Sequence, residues 1–119
     1  PYQCYCQKTT RLVAEKLNLK EDGYMTTFQS RFGPAEWLKP YTSDTMEELP
    51  KKGIKNILVV APAFSVDCLE TIEEIDEENK EIFLNSGGQN FTYVPCLNDS
   101  DGHVNFLKQL IDKHASILK

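Results

Sequence analysis

The sequence runs to 119 residues, 26% charged and 40% hydrophobic, the balance of one globular domain rather than of a disordered chain. Thirteen basic against eighteen acidic residues leave a formal charge of −5, which argues against nucleic acid as a partner, since phosphate binding wants a basic surface. No apolar run approaches the roughly 20 residues of a membrane span. With nothing to indicate secretion, Cys4, Cys6, Cys68 and Cys96 read as reduced thiols of a cytoplasmic protein.

The first residue is Pro1 rather than Met, so the expectation is a chain that begins inside a longer protein. Cys4-Tyr5-Cys6 has no matching second pair, and a zinc site is not expected there. Lys8 to Leu19 reads as a helix with Leu12, Val13, Leu17 and Leu19 as its apolar stripe, closed by Asp22-Gly23. Tyr24 to Ser30 carries β-branched and aromatic residues at strand length, and Phe32-Gly33-Pro34 breaks it into a loop. Thr42 or Ser43 can cap a helix that runs through Met46 and Leu49 to about Lys52 and stops at Gly53.

Asn56 to Pro62 is nearly all apolar, as a strand covered on both faces of a parallel sheet would be. Ser65 is placed to cap a strongly acidic helix that runs to about Asn85, where Ser86-Gly87-Gly88 ends it. Phe91 to Leu97 is a third strand. A last helix, capped by Asp99, Ser100 or Asp101, sets Val104, Leu107, Leu110 and Ile111 on one face. The order α-β-α-β-α-β-α predicts an α/β fold, a doubly wound parallel sheet of Rossmann-like or flavodoxin-like form, in a single lobe over residues 1–119. Three strands are few for such a sheet, and the opening helix follows no strand. Both observations fit a lobe whose leading strand lies elsewhere, leaving a sheet edge free for self-association.

The acidic helix is where α/β proteins usually bind ligands, directly after a buried strand. On a wheel of about 100° per residue, Leu69, Ile72, Ile75, Ile82 and Phe83 gather on one side and Asp67, Glu70, Glu74, Glu78 and Glu81 on the other. That is the pattern of any surface helix, and carboxylates in first turns also suit the helix dipole. Two observations favour a working site. Lys80 is the only basic residue from Asp67 to Phe83, and like charges at i,i+4 cost roughly 0.2–0.5 kcal/mol per pair. Carboxylates held close also raise one another's pKa and can bind a divalent cation.

Residue order and spacing go further. Gln29-Ser30-Arg31-x-Gly33-Pro34-x-x-Trp37-Leu38-x-Pro40, Asp67-Cys68-Leu69-Glu70-Thr71-x-x-Glu74-Ile75-Asp76 and Pro95-Cys96-Leu97-Asn98 together resemble the ferrochelatases. The opening Pro1-Tyr2 is similar to the end of that family's Gly-Asp-Pro-Tyr segment. The resemblance implies the C-terminal half of a two-lobed enzyme that inserts Fe(II) into a porphyrin to make haem. It places Glu70 at the catalytic glutamate. Asp67 and Glu74 fall on an acidic line, widened toward π geometry in the family, that relays protons or metal, with Glu70 and Glu74 as metal contacts. Trp37 falls where an aromatic lines the macrocycle pocket, although a Trp beside a strand end is otherwise core packing. Arg31 can pair with a porphyrin propionate or form a plain surface salt bridge.

The same resemblance puts the essential histidine upstream of Pro1, in the other lobe, so this chain alone is expected to be inactive. His103 and His114 match nothing catalytic and read as surface residues. No tightly bound cofactor is implied; Fe(II) is a substrate. Family members with an iron–sulfur cluster hold it in a C-terminal extension, so no cluster is expected here. The implied location is cytoplasmic, or peripheral to the inner membrane. Rival readings are a non-catalytic porphyrin or metal carrier, a chelatase for another tetrapyrrole, and a phosphoacceptor domain. The last is disfavoured because the central strand ends in Ala61-Pro62-Ala63-Phe64, without an Asp.

Overall fold

The structure, a computed structural model, describes residues 1–118. Helix α1 spans Tyr2–Lys16 and so begins earlier than the apolar stripe alone indicates. No Gly or Pro interrupts that stretch, and the Thr9 and Thr10 hydroxyls donate back to the Tyr5 and Cys6 carbonyls within the helix. Cys4 and Cys6 ride on it as free thiols, like Cys68 and Cys96.

The strand expected over Tyr24 to Ser30 does not form. A 3-10 turn at Glu21–Gly23 leads into extended chain that makes a single parallel bridge, Phe28 with Tyr41. No neighbouring strand lies along it, so its threonines bond sideways instead: Thr26 to the Thr10 hydroxyl at 2.7 Å, and Thr27 to the Thr42 hydroxyl at 2.9 Å. Ser30 then turns into the left-handed region at φ 61°, which ends the extended path. Helix α2 follows at Thr42–Lys51.

The fold is α/β, with a parallel sheet of two strands rather than three. Strand β1 (Asn56–Val60) pairs with β2 (Asn90–Val94) in register from Asn56 opposite Asn90 to Val60 opposite Val94. Ile57 and Val59 turn toward the helices; Leu58 and Val60 lie exposed on the other face. The near-continuous apolar run promised cover on both faces, and within the described residues only one face has it.

The connection between the strands differs from an ordinary crossover helix. Glu70–Asn79 is a ten-residue π-helix, continued by α3 at Lys80–Asn85. Its wider turn brings every fourth residue back to nearly the same side, and the buried row is Thr71, Ile75, Asn79 and Phe83. The expected apolar side is therefore only half right: Leu69 is 67% and Ile72 48% exposed, because a wheel of about 100° per residue rotates them to the wrong position. Ser65 does not cap the helix, which has no side-chain cap.

The core joins Met46 of α2, Ile75, Phe83 and Phe91, with Leu49, Ile57, Val59 and Tyr93 packed around them. The Phe83 and Phe91 rings meet tilted, centroids 6.0 Å apart. After α3, Gly87 takes φ 107° and the Gly88 N–H donates to the Phe83 carbonyl at 2.9 Å. Helix α4 (Asp101–His114) makes no close approach to another helix or strand among the described residues, apart from the 3-10 turn Ala115–Leu118 that follows it. No helix of the described residues is long and apolar enough to cross a membrane.

Candidate functional site

An open cleft of about 590 Å³ lies between the acidic helix and the chain around Phe28–Phe32. Glu70, Glu74 and Glu78 stand on one wall, and Gln29, Ser30 and Arg31 on the other. The spacing of four that buries Thr71 and Ile75 also lines these carboxylates up along the helix. Three of the five residues singled out from the sequence thus meet in the cleft through Glu70, Glu74 and Arg31.

Glu70 is exposed at the head of this wall. The neighbouring Cys68 thiol, and then its own backbone N–H, hold its carboxyl below the ordinary glutamate range. The upward push anticipated from crowded carboxylates does not prevail, because these hydrogen bonds favour the anion. Glu70 therefore meets the cleft as an anion at neutral pH.

Glu74 is gripped from the opposite wall. The Ser30 N–H donates to one carboxylate oxygen at 2.6 Å, and the Ser30 hydroxyl to the other at 2.7 Å. The Gln29 amide reaches the same second oxygen at 3.3 Å and also donates to the Glu70 carbonyl at 2.7 Å. Charge-assisted bonds of this kind bind the loop to the helix. Sequence reading quoted Gln29 and Ser30 in a motif and gave neither a role.

Arg31 makes no ion pair among the described residues. Its guanidinium lies over the Tyr41 ring, 5.2 Å from the centroid, and the residue lines the cleft. Trp37 does not line the cleft. It is 44% exposed, and its backbone N–H donates to the Tyr41 hydroxyl at 3.2 Å.

Asp67 stands apart from the row, at the entry to the helix, and its carboxylate is already occupied. Oδ1 accepts from the Tyr93 hydroxyl at 2.8 Å, the Thr71 hydroxyl at 3.0 Å and, at 3.4 Å, the Cys96 N–H. Oδ2 accepts from the Asn98 amide at 2.8 Å. The Asn98 bond first, then that of Tyr93, drive the carboxyl far below its usual range. These hydrogen bonds favour the anion, so Asp67 stands at the helix entry as a held carboxylate. Burial and the adjacent Cys96 thiol raise the Tyr93 phenol, and burial raises the Cys96 thiol.

His103 is a further correction. It is 7% exposed rather than on the surface, and its Nδ1–H donates to the Asn98 carbonyl at 2.7 Å; His114 is exposed as expected. Among the described residues no three His, Cys, Asp or Glu side chains converge on one point where an ion could sit.

The family model described as ferrochelatase matches residues 1–115. The chain is 61% identical over 112 residues to a ferrochelatase of Marinobacter nauticus, covering 94% of this chain and 30% of that relative. It is 58% identical to ferrochelatases of Hydrogenovibrio crunogenus and Vibrio cholerae, over 93% and 92% of this chain and 29% and 34% of those relatives. The chain thus spans about a third of the length of the curated relatives it matches. From its first residue through the end of α4, this chain belongs to the ferrochelatase family.

Proposed function

We propose that this chain is the lobe of a ferrochelatase that presents carboxylates to a porphyrin and to incoming Fe(II), with the remaining catalytic groups, a histidine among them, on a facing lobe. The observation that carries this reading is the shared cleft: an acidic row on one wall and, on the other, a guanidinium with no ion pair among the described residues.

Metal insertion requires two pyrrole protons to leave and the nitrogen lone pairs to turn toward the ion. Glu70, anionic at neutral pH, faces the macrocycle and either accepts a pyrrole proton or hands over the metal. Its lowered pKa favours brief occupancy by a proton, which suits a group that must be free again for each turnover. Carboxylate oxygens also ligate Fe(II) without holding it as tightly as thiolates would, so the ion can move on to the ring. Glu74, next along the wall, continues the path for metal or protons. Asp67 contributes a fixed negative charge at the helix entry.

Arg31 pairs with a propionate, because a guanidinium matches carboxylate geometry with two parallel hydrogen bonds. Trp37 supplies an apolar wall to a macrocycle that extends past the cleft along the loop of residues 31–40.

The test is absorbance-monitored insertion of Fe(II) or Zn(II) into protoporphyrin by the full-length protein, by its Glu70→Gln variant and by the isolated chain. The expectation is insertion by the first alone. Near-normal rates in Glu70→Gln would end the assignment. A porphyrin that binds to the full-length protein and never acquires metal would point instead to a carrier.

A further inference from the structure

We infer that Asn98 is a positioning residue, a clamp that fixes where the π-helix begins and therefore where Glu70 is presented. Its consequence for metal insertion rests on the function proposed above; its structural action does not.

Every polar group of Asn98 is engaged. Its side-chain Oδ1 accepts from the Asp67 N–H at 2.8 Å, while Nδ2 donates to Asp67 Oδ2 at 2.8 Å. Its own N–H donates to the Ser65 carbonyl at 2.9 Å. Its carbonyl accepts from buried His103 at 2.7 Å. The backbone sits at φ 49°, a left-handed conformation that asparagine adopts more readily than most residues.

Three of these four bonds go to residues 65–67, the last of the connection from β1 before the acidic helix. The fourth ties Asn98 to the first turn of α4. Asp67 passes the constraint on, because its Oδ1 accepts from Thr71, whose side chain is fully buried one position after Glu70. Glu70 is thus bracketed by two anchored residues, Asp67 and Thr71, and the anchor of the first is Asn98. The helix has no side-chain N-cap of its own, so this two-point grip takes the place of one.

The chemistry of the grip selects the residue. It needs one donor and one acceptor on a short neutral side chain, with the donor facing a carboxylate. Aspartate at 98 keeps the shape and turns that donor into a second acceptor, opposing Asp67. Exchanging the two residues restores the match: in Asp67→Asn/Asn98→Asp, the new amide at 67 donates to the new carboxylate at 98, and the 67 Oδ1 still accepts from Thr71 and Tyr93.

The experiment compares wild type, Asn98→Asp, Asp67→Asn and the exchanged pair in the full-length protein. Amide hydrogen exchange is read over residues 68–79 and over β1 and β2, and kcat and KM for the porphyrin are measured alongside. Asn98→Asp is expected to raise exchange in 68–79 while leaving β1 and β2 protected. It is expected to lower kcat about 10- to 100-fold, the scale seen when a partner orienting a site ligand is lost, with KM unchanged. The exchanged pair is expected to recover both. Wild-type exchange over 68–79 in Asn98→Asp overturns the clamp, as does a rise shared equally by the strands, or a pair no better than its singles. Should wild type insert no metal, the proposed function falls, and hydrogen exchange alone still judges the clamp.

Discussion

Ser30 holds Glu74 with both its backbone N–H and its hydroxyl, one to each carboxylate oxygen, at 2.6 and 2.7 Å. Ser30 adopts φ 61° to do so, a conformation that non-glycine residues rarely take. The grip on the acidic helix therefore offsets local backbone strain.

Ser30→Ala removes one charge-assisted bond and keeps the strain, whereas Ser30→Gly removes the bond and relieves the strain. The alanine variant is expected to lose about 1–2 kcal/mol and the glycine variant less. Melting curves compare the two. The fluorescence of Trp37, the chain's single tryptophan, is expected to report a loosened loop in both.

Glu70→Gln keeps the size of the side chain and removes its charge. If Glu70 exchanges protons or metal with the porphyrin, kcat for insertion falls at least ~100-fold, the lower range for a lost general base. Porphyrin affinity, measured by fluorescence quenching, is expected to change little.

The Asp67 network makes stability depend on pH at both ends. The folded-state pKa of Asp67 is depressed, so its contribution is complete above the unfolded value of about 4 and is lost as pH falls further. Tyr93 is raised, so its contribution is complete below about 10 and is lost as pH climbs through the folded value. Asp67→Asn is expected to flatten the acid limb of a melting-temperature profile, and Tyr93→Phe the alkaline limb. Unchanged limbs would show that these groups are not coupled to folding.

Gly88→Ala tests the core. A Cβ at that position would lie 2.2 Å from the ring of Phe83, which is fully buried. Displacing the ring is expected to cost about 1–3 kcal/mol, read from denaturant midpoints. Gly102→Ala, where a Cβ meets nothing within 4 Å, is the control.

The isolated chain is expected to self-associate. Each strand of the pair has one edge without a strand partner among the described residues, and Leu58 and Val60 lie exposed beside those edges. Light scattering that returns a stable monomer at tens of micromolar would count against this.

The α/β character was legible from alternating apolar runs and helical stripes, and β1, β2, α2 and α4 lie within a few residues of their expected spans. The strand at Tyr24–Ser30 was not, because propensity says nothing about whether a neighbour lies alongside. The acidic cleft was legible through Glu70, Glu74 and Arg31. The wheel misplaced Leu69 and Ile72 because it assumed an α-helical turn, and the π-helix leaves no mark in hydrophobic periodicity. Tyr93, Cys96 and Asn98 were invisible as partners of Asp67: they lie 26 to 31 positions along the chain, and only the parallel pairing of β1 with β2 carries them back to it.

One consequence follows from α4. Its fourteen residues make a rod about 21 Å long, rooted at its first turn, where His103 is bonded to the loop before it. A pivot of about 10° at that root would sweep the far tip through about 4 Å. Over that length a small tilt at the root is magnified at the far end, and the His103 imidazole–carbonyl bond lies at the root.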